Sequence, residues 1–336
     1  MRSAAALVLV LTACAPSLPA QVAVGGYFSL DFLRGQAASA APHASIENIQ
    51  AGLIVSGKWT ERLGYALEIR SKENMRFEIE QAWAGLVWSD ALQVKVGVFL
   101  VPFGRINAAS RPYEILLVRV PLPSSEAVPA SWRELGVMAE GRSGFLRYSG
   151  WVGNGLAEGR DLASGQQFRD NNANKAWGGR LGLMLSDSLE VGGSYTTGKV
   201  DALGERALVL KGADAVWTNG GLKLAAEYTR AEIANPAPYA AGTAEGWFVF
   251  GSFDFGSVSP VVSYQKLVYS DEFHGPGFAG PPDPGLGISE DRRVWTIGVT
   301  AALNAGFILK AEYDFNREPR FELKNDIFRA QIAARF

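Results

Sequence analysis

Three arginines stand close together in one stretch: Arg105, Arg111 and Arg119, within residues 102–132, with Glu114 and Glu126 interspersed. A guanidinium is a planar fork of donors that fits carboxylate and phosphate oxygens. These side chains can therefore contact an anionic solute, or they can pair with the two glutamates and brace their own segment. Lys95 before the stretch and Arg133 just after it add two more cations. A connection this long without regular structure is usually functional. Tyr113, Ile115, Leu116, Leu117 and Val118 would sit badly in water, so burial of the stretch against an inner wall is expected.

Other candidate chemistry is weaker. Asp214 and Glu227 read as diagonal neighbours on adjacent strands, roughly 7–8 Å apart. Paired carboxylates can perform acid–base glycoside chemistry, although Lys223 and Arg180 offer them structural partners. Asp161 and the run Asp170-Asn171-Asn172 with Asn174 present oxygens suited to calcium. They lack the spacing of a dedicated metal loop and read as a solvated connection. His43 and His274 are far apart and make no pair. The glycines at 153, 155 and 159 miss the dinucleotide pattern, and no nucleophile-elbow serine is present. A net charge of −2 provides no basic face for nucleic acid, and no cofactor is implied.

The elements that position these residues alternate with period two. At the carboxy-terminus Phe328, Ala330, Ile332, Ala334 and Phe336 form one face, while Arg329, Gln331, Ala333 and Arg335 form the other. Lipid on the first face and water on the second is the pattern of a transmembrane β-barrel. The template yields about sixteen strands near 22–34, 46–58, 63–73, 76–88, 91–101, 133–141, 144–153, 176–186, 188–198, 206–218, 221–233, 243–255, 258–270, 291–303, 306–318 and 323–336. Brief links alternate with longer ones, as periplasmic turns alternate with outer loops; 74–75 is the one short exception. The uncharged run 294–309 is broken by Asn304-Ala305-Gly306 and reads as a hairpin. Asn219-Gly220 reads as a two-residue turn that sends Trp217 toward lipid and Asp214 inward.

The fold expected is thus all-β, one antiparallel barrel over 21–336, with 102–132 as an inward-folded third loop. Residues 1–20 read as a signal peptide: Arg2, an apolar run from Ala4 to Ala13, and a small residue at Ala20. A competing reading has Cys14 lipidated. Alternation assigns Arg70, Lys95, Arg147, Arg180, Lys223, Lys310, Arg329 and Arg335 to the lumen. It opposes them with Glu68, Glu78, Glu80, Glu134, Glu140, Glu190, Asp214, Glu227, Asp254, Glu312 and Asp314. Mixed charge of this kind sets up a transverse field across a pore.

Lys95-Val96-Gly97-Val98-Phe99 leading into Pro102-Phe103-Gly104, then Arg133-Glu134-Leu135-Gly136-Val137, Gly212-Ala213-Asp214 with Trp217, and Glu227-Tyr228 follow one another along the chain. Over roughly 75–336 the chain resembles the phosphate-selective porin O and P family. The resemblance implies sixteen strands, a third loop folded into the lumen, a homotrimer, and passage of anions such as phosphate. The family's dense basic ladder is replaced here by the mixed wall.

The expected function is a passive outer-membrane channel. It would sit in outer-membrane lipid, pass small hydrophilic solutes or ions, and involve no catalysis. One alternative is a plugged barrel serving as adhesin, receptor or envelope anchor, with 271–290 as its contact loop. Another is an outer-membrane hydrolase using a histidine at the rim.

Overall fold

The computed structural model describes residues 21–72, 76–159, 162–275, 291–319 and 322–336. The expected signal segment with Cys14, the link 74–75, Asp161 and most of 271–290 lie outside the described residues.

A strand with one apolar face must hydrogen-bond along both edges if it is to sit in hydrocarbon, because an unpaired amide there costs several kcal/mol. Closure satisfies this for every strand. The first eight are β1 (Gln21–Gly35), β2 (Ser45–Lys58), β3 (Leu63–Lys72), β4 (Arg76–Ser89), β5 (Leu92–Leu100), β6 (Arg133–Ser143), β7 (Leu146–Gly153) and β8 (Ala176–Ser186). The rest are β9 (Leu189–Lys199), β10 (Ala207–Asn219), β11 (Leu222–Ile233), β12 (Gly242–Phe253), β13 (Val258–Asp271), β14 (Arg292–Ala302), β15 (Phe307–Arg317) and β16 (Ile327–Arg335). Each is antiparallel to its sequence neighbours. β1 pairs β16 from Tyr27 opposite Arg335 to Gly35 opposite Ile327, which closes the barrel. All sixteen expected strands are present.

The two faces of β16 fall as the alternation requires. Arg329, Gln331 and Ala333 are buried, while Phe328, Ile332 and Phe336 are exposed on the outer wall. The strand starts at Ile327, later than 323. Glu318 accepts from Asn325 Nδ2 at 2.6 Å, and Asp326 accepts from the Asn316 amide at 2.9 Å, so the intervening residues belong to the rim.

One register differs from expectation. The β10–β11 turn is Gly220-Gly221, both with positive φ (54° and 85°), and Asn219 pairs Leu222 inside the ladder. Two consecutive left-handed residues favour the glycine pair over Asn219-Gly220. The shift puts Asp214 directly opposite Glu227 instead of diagonal to it. Asp214 still faces inward and Trp217 outward, because the shift is by a whole pleat. Asp254 is also displaced from the expected wall: it lies in the turn after β12 and caps the Gly256 amide at 2.7 Å.

Candidate functional site: the lumen and its inward loop

Residues 101–132 leave β5 and return to β6 by way of the barrel interior, through a 3-10 turn at Asn107–Ala109 and a single helical turn, α1 (Pro123–Glu126). Burying a backbone without its own ladder leaves amides and carbonyls to satisfy, and the wall supplies partners around most of the circumference. On β9, Ser194 Oγ accepts from the Gly104 amide at 3.0 Å. On β11, the Glu227 carboxylate accepts from the Arg105 amide at 2.8 Å, the Ile106 amide at 3.3 Å and Ser124 Oγ at 2.9 Å. On β13, Gln265 takes the Leu122 amide at 2.7 Å. On β14, Thr300 Oγ1 donates to the Leu116 carbonyl at 2.7 Å. On β15, Glu312 takes the Val118 amide at 2.7 Å, and Lys310 donates to the carbonyls of Leu117 (3.0 Å) and Pro112.

Asn107 holds the loop's neck. Its Nδ2 donates to the carbonyls of Val101 (2.8 Å) and Trp132 (2.9 Å), and its Oδ1 accepts from the Trp132 amide at 2.7 Å. Gly104 has φ +61°, and a Cβ there would lie 2.4 Å from the Glu227 carboxylate. Only glycine lets the backbone approach that carboxylate so closely.

The loop divides the lumen. Phe99, Val101, Phe103, Leu122, Val128 and Trp132 pack with wall side chains such as Trp151, Leu210, Ile233 and Leu267 into one apolar cluster. Beside the loop, open toward the short turns, lies a cavity of about 910 Å³. Arg105, Arg147, Arg180, Glu190, Lys223 and Glu227 line it, together with Ile115, Leu116 and Leu117 of the loop.

Glu190 is the hub of this wall. Its carboxylate meets Arg105 at 2.6 Å, Arg180 at 3.1 Å and Arg147 at 3.4 Å. Arg180 also engages Asp214, with Nε 2.8 Å from Oδ2. Lys223 stands nearby with its ammonium 5.8 Å from the Phe250 ring centroid. Three guanidinia therefore share the carboxylates of Glu190 and Asp214.

The expected site residues separate into two sets. Arg105 reaches the cavity with Arg147 and Arg180, and Glu114 lines it as well. Arg111 is turned into the wall: its Nε and Nη2 contact Glu68 at 3.0 and 2.7 Å, and Nη1 reaches Glu114 at 3.0 Å. Those bonds to Glu68 hold its proton more tightly than usual. Beside it, Tyr113 packs on Tyr27 with ring centroids 5.7 Å apart, and burial raises its phenol. Arg119 and Glu126 are 3.9 Å apart on the other side of the loop, where Glu126 also meets Arg292.

Arg133 is buried beside Glu78 (3.1 Å) and Glu80 (3.4 Å) and does not line the cavity. Lys95 pairs Glu140 at 2.5 Å with Trp83 beneath it, 4.6 Å to the ring centroid. Lys310 fastens the loop, and Arg329 pairs Asp314. Both carboxylates of the Asp214–Glu227 pair are engaged, one by Arg180 and the other by loop donors.

Asp170 takes Lys175 and the Asn172 amide, while Asn171 and Asn172 donate to carbonyls of Val200 and Asp201. That run ties two loops together. His274 stacks on Tyr239 with centroids 3.7 Å apart, and His43 is exposed. Sequence reasoning placed Glu190, Ser194 and Lys223 on the lumen face or left them unremarked; their convergence depends on which strands neighbour one another around the barrel.

Comparison with known proteins adds three findings. The family described as Gram-negative porin matches residues 4–326. An uncharacterized protein of Aquifex aeolicus is 25% identical over 190 residues, 52% of this chain and 43% of that protein. The match thus spans less than half the length of that curated relative.

Among solved structures, Salmonella typhi OmpF in complex with daunomycin superposes with a TM-score of 0.67 at 14% identity, covering 94% of this chain and 97% of that one. The anion-selective porin of Comamonas acidovorans gives 0.64 at 11%, covering 94% and 99%. Vibrio cholerae OmpT, described as a trimer form, gives 0.63 at 11%, again covering 94% and 99%. At these identities the likeness is one of fold.

Proposed function

The chain belongs to the Gram-negative porin family, and on that premise we propose that it passes small hydrophilic solutes with a bias toward anions. Family and fold together support an outer-membrane channel. The observation behind the bias is the cluster on the cavity wall, where Arg105, Arg147 and Arg180 share Glu190 and Asp214. Lys223 has no ion pair among the described residues, and the lining carboxylates Glu114, Glu140 and Glu227 are held by Arg111, Lys95 and loop amides. Charged rings bordered by low-dielectric protein raise the local concentration of counter-ions. Phosphate would pass as one small anion among several, because each arginine of the wall already shares a carboxylate. The trimeric description of one similar structure supports a homotrimer.

The test is the reversal potential in planar bilayers under asymmetric potassium chloride. Replacing Arg105, Arg147 and Lys223 together by glutamine is expected to move the potential toward cation preference. An unchanged potential removes the anion reading.

A second reading has its own observation. The apolar cluster around Trp132 spans part of the interior, which suits a barrel whose lumen is plugged and whose loops serve as receptor or anchor. Single-channel recording separates the two: current steps support the pore, and a silent membrane supports the plug.

A further inference from the structure

The outer wall carries charges that the lumen reading does not use. On β13, Gln265 faces inward to the loop, so Lys266 faces outward. On β14, Arg293 lies outward between the inward Arg292 and Val294. On β15, Arg317 stands at the outward end, two residues beyond Phe315. The ladder sets Lys266 directly opposite Arg293, and Arg293 directly opposite Arg317. Three cations thus stand side by side across three strands. Like charges directly opposite one another are destabilising, so the row calls for an anion.

Little of that anion comes from the protein. Arg317 meets Asp326 at 2.9 Å and Glu322 at 3.3 Å. Among the described residues, neither Lys266 nor Arg293 has a side-chain ion pair. On β12 the outward Glu245 is diagonal to Lys266, and Arg230 holds it. Asp291 is turned to the Tyr269 amide at 3.0 Å.

A second row fixes the depth. Two residues toward the short turns, Tyr264, Trp295 and Phe315 stand opposite one another in the same register. Tyr264 and Trp295 are in contact, with centroids 4.6 Å apart, and Trp247, in register with Lys266, reaches Tyr264 diagonally at 5.1 Å. Aromatic girdles mark the boundary between hydrocarbon and headgroups. A cation row one pleat beyond the girdle, on the long-loop side, lies at the headgroup level of the outer leaflet.

We propose that Lys266 and Arg293, flanked by Arg317, bind the phosphate of an outer-leaflet lipid headgroup, its acyl chains lying along Tyr264 and Trp295. Two cations with no ion pair among the described residues match the charge of a phosphate monoester, and the aromatic row matches the chains. The proposal needs the barrel to sit in lipid and is independent of what the lumen conducts.

The probe is dioleoyl phosphatidic acid, with dioleoyl phosphatidylcholine as the zwitterionic comparison, added to the detergent-solubilised full chain and read by native mass spectrometry. A basic side chain near a membrane surface is worth about fivefold in affinity. The double variant Lys266→Gln/Arg293→Gln is therefore expected to bind phosphatidic acid roughly thirtyfold more weakly. Lys58→Gln, at the opposite rim, is expected to bind like the parent. Single-channel recording or resistance to urea confirms that each variant is folded.

Three results overturn the proposal. One is undiminished phosphatidic acid binding by the double variant. Another is equal competition by inorganic phosphate, which would make the row a site for free anion. The third is dissociation of subunits in the double variant, which would make it a contact between copies.

Discussion

The inward and outward faces of the same strands solve opposite problems. On β11, Lys223, Glu227 and Thr229 point into the lumen, while Leu224, Tyr228 and Arg230 point out. The inward charges are nearly all answered within the protein: Glu227 by loop amides, Glu190 by three guanidinia, Arg111 by Glu68. The outward face is apolar through its middle and keeps its charges for the long-loop rim, where Lys266 and Arg293 stand without a partner among the described residues. A charge inside can be satisfied by water, by the loop or by the facing wall. A charge outside has only lipid and its strand neighbours, as Arg230 has Glu245, so its position along the strand decides whether it is tolerated.

The largest expected effect comes from reversing this rule. Val249→Arg places a charge on the outer wall between Trp247 and Phe253, and should destabilise the barrel by about 2–4 kcal/mol in urea unfolding from liposomes. Ala225→Arg, on the cavity side of the neighbouring strand, should change stability by less than about 1 kcal/mol. Equal losses for the two variants would erase the distinction between the faces.

Next in size is the carboxylate that holds the loop. Glu227→Leu strips the acceptor from two loop amides, each left buried at about 1–3 kcal/mol. The loop should loosen, with larger single-channel conductance and faster liposome swelling by sugars. An unaltered conductance alongside lowered stability would mean that the loop stays in place without its anchor.

Gly104→Ala approaches the same contact from the other side. Its positive φ costs a non-glycine residue roughly 1–2 kcal/mol, and the new methyl crowds Glu227. Conductance should shift in the same direction as for Glu227→Leu, by less. The smallest change is expected for Lys95→Met. Its pair with Glu140 is partly exposed, the side chains at 14% and 31%, and solvated pairs contribute about 0–1 kcal/mol. Urea unfolding should barely register it, and a loss as large as that for Glu227→Leu would show that open lumen pairs matter as much as buried ones.

Much of the fold was legible because alternation is local. Each strand carries its own two-faced pattern, and brief links between strands announce themselves through glycine, asparagine and serine. The places that failed are those where the choice lay between neighbours of similar chemistry. Asn219-Gly220 and Gly220-Gly221 both suit a tight turn, and only the ladder from Asn219–Leu222 onward distinguishes them. The site was less legible. Arg105, Arg111 and Arg119 look alike in sequence, yet one lines the cavity, one is clamped by Glu68 and one pairs across to Glu126.

Side-chain period two, with apolar residues on one face and charges on the other, was enough to require a closed sheet between lipid and water, because no other arrangement satisfies both faces and both edges. Which charges meet was decided by closure and by the path of the loop. Residues far apart in the chain, such as Gly104 and Glu227 or Lys266 and Arg293, become neighbours only when strand order and register are set. Their partners, and so their roles, follow from that geometry.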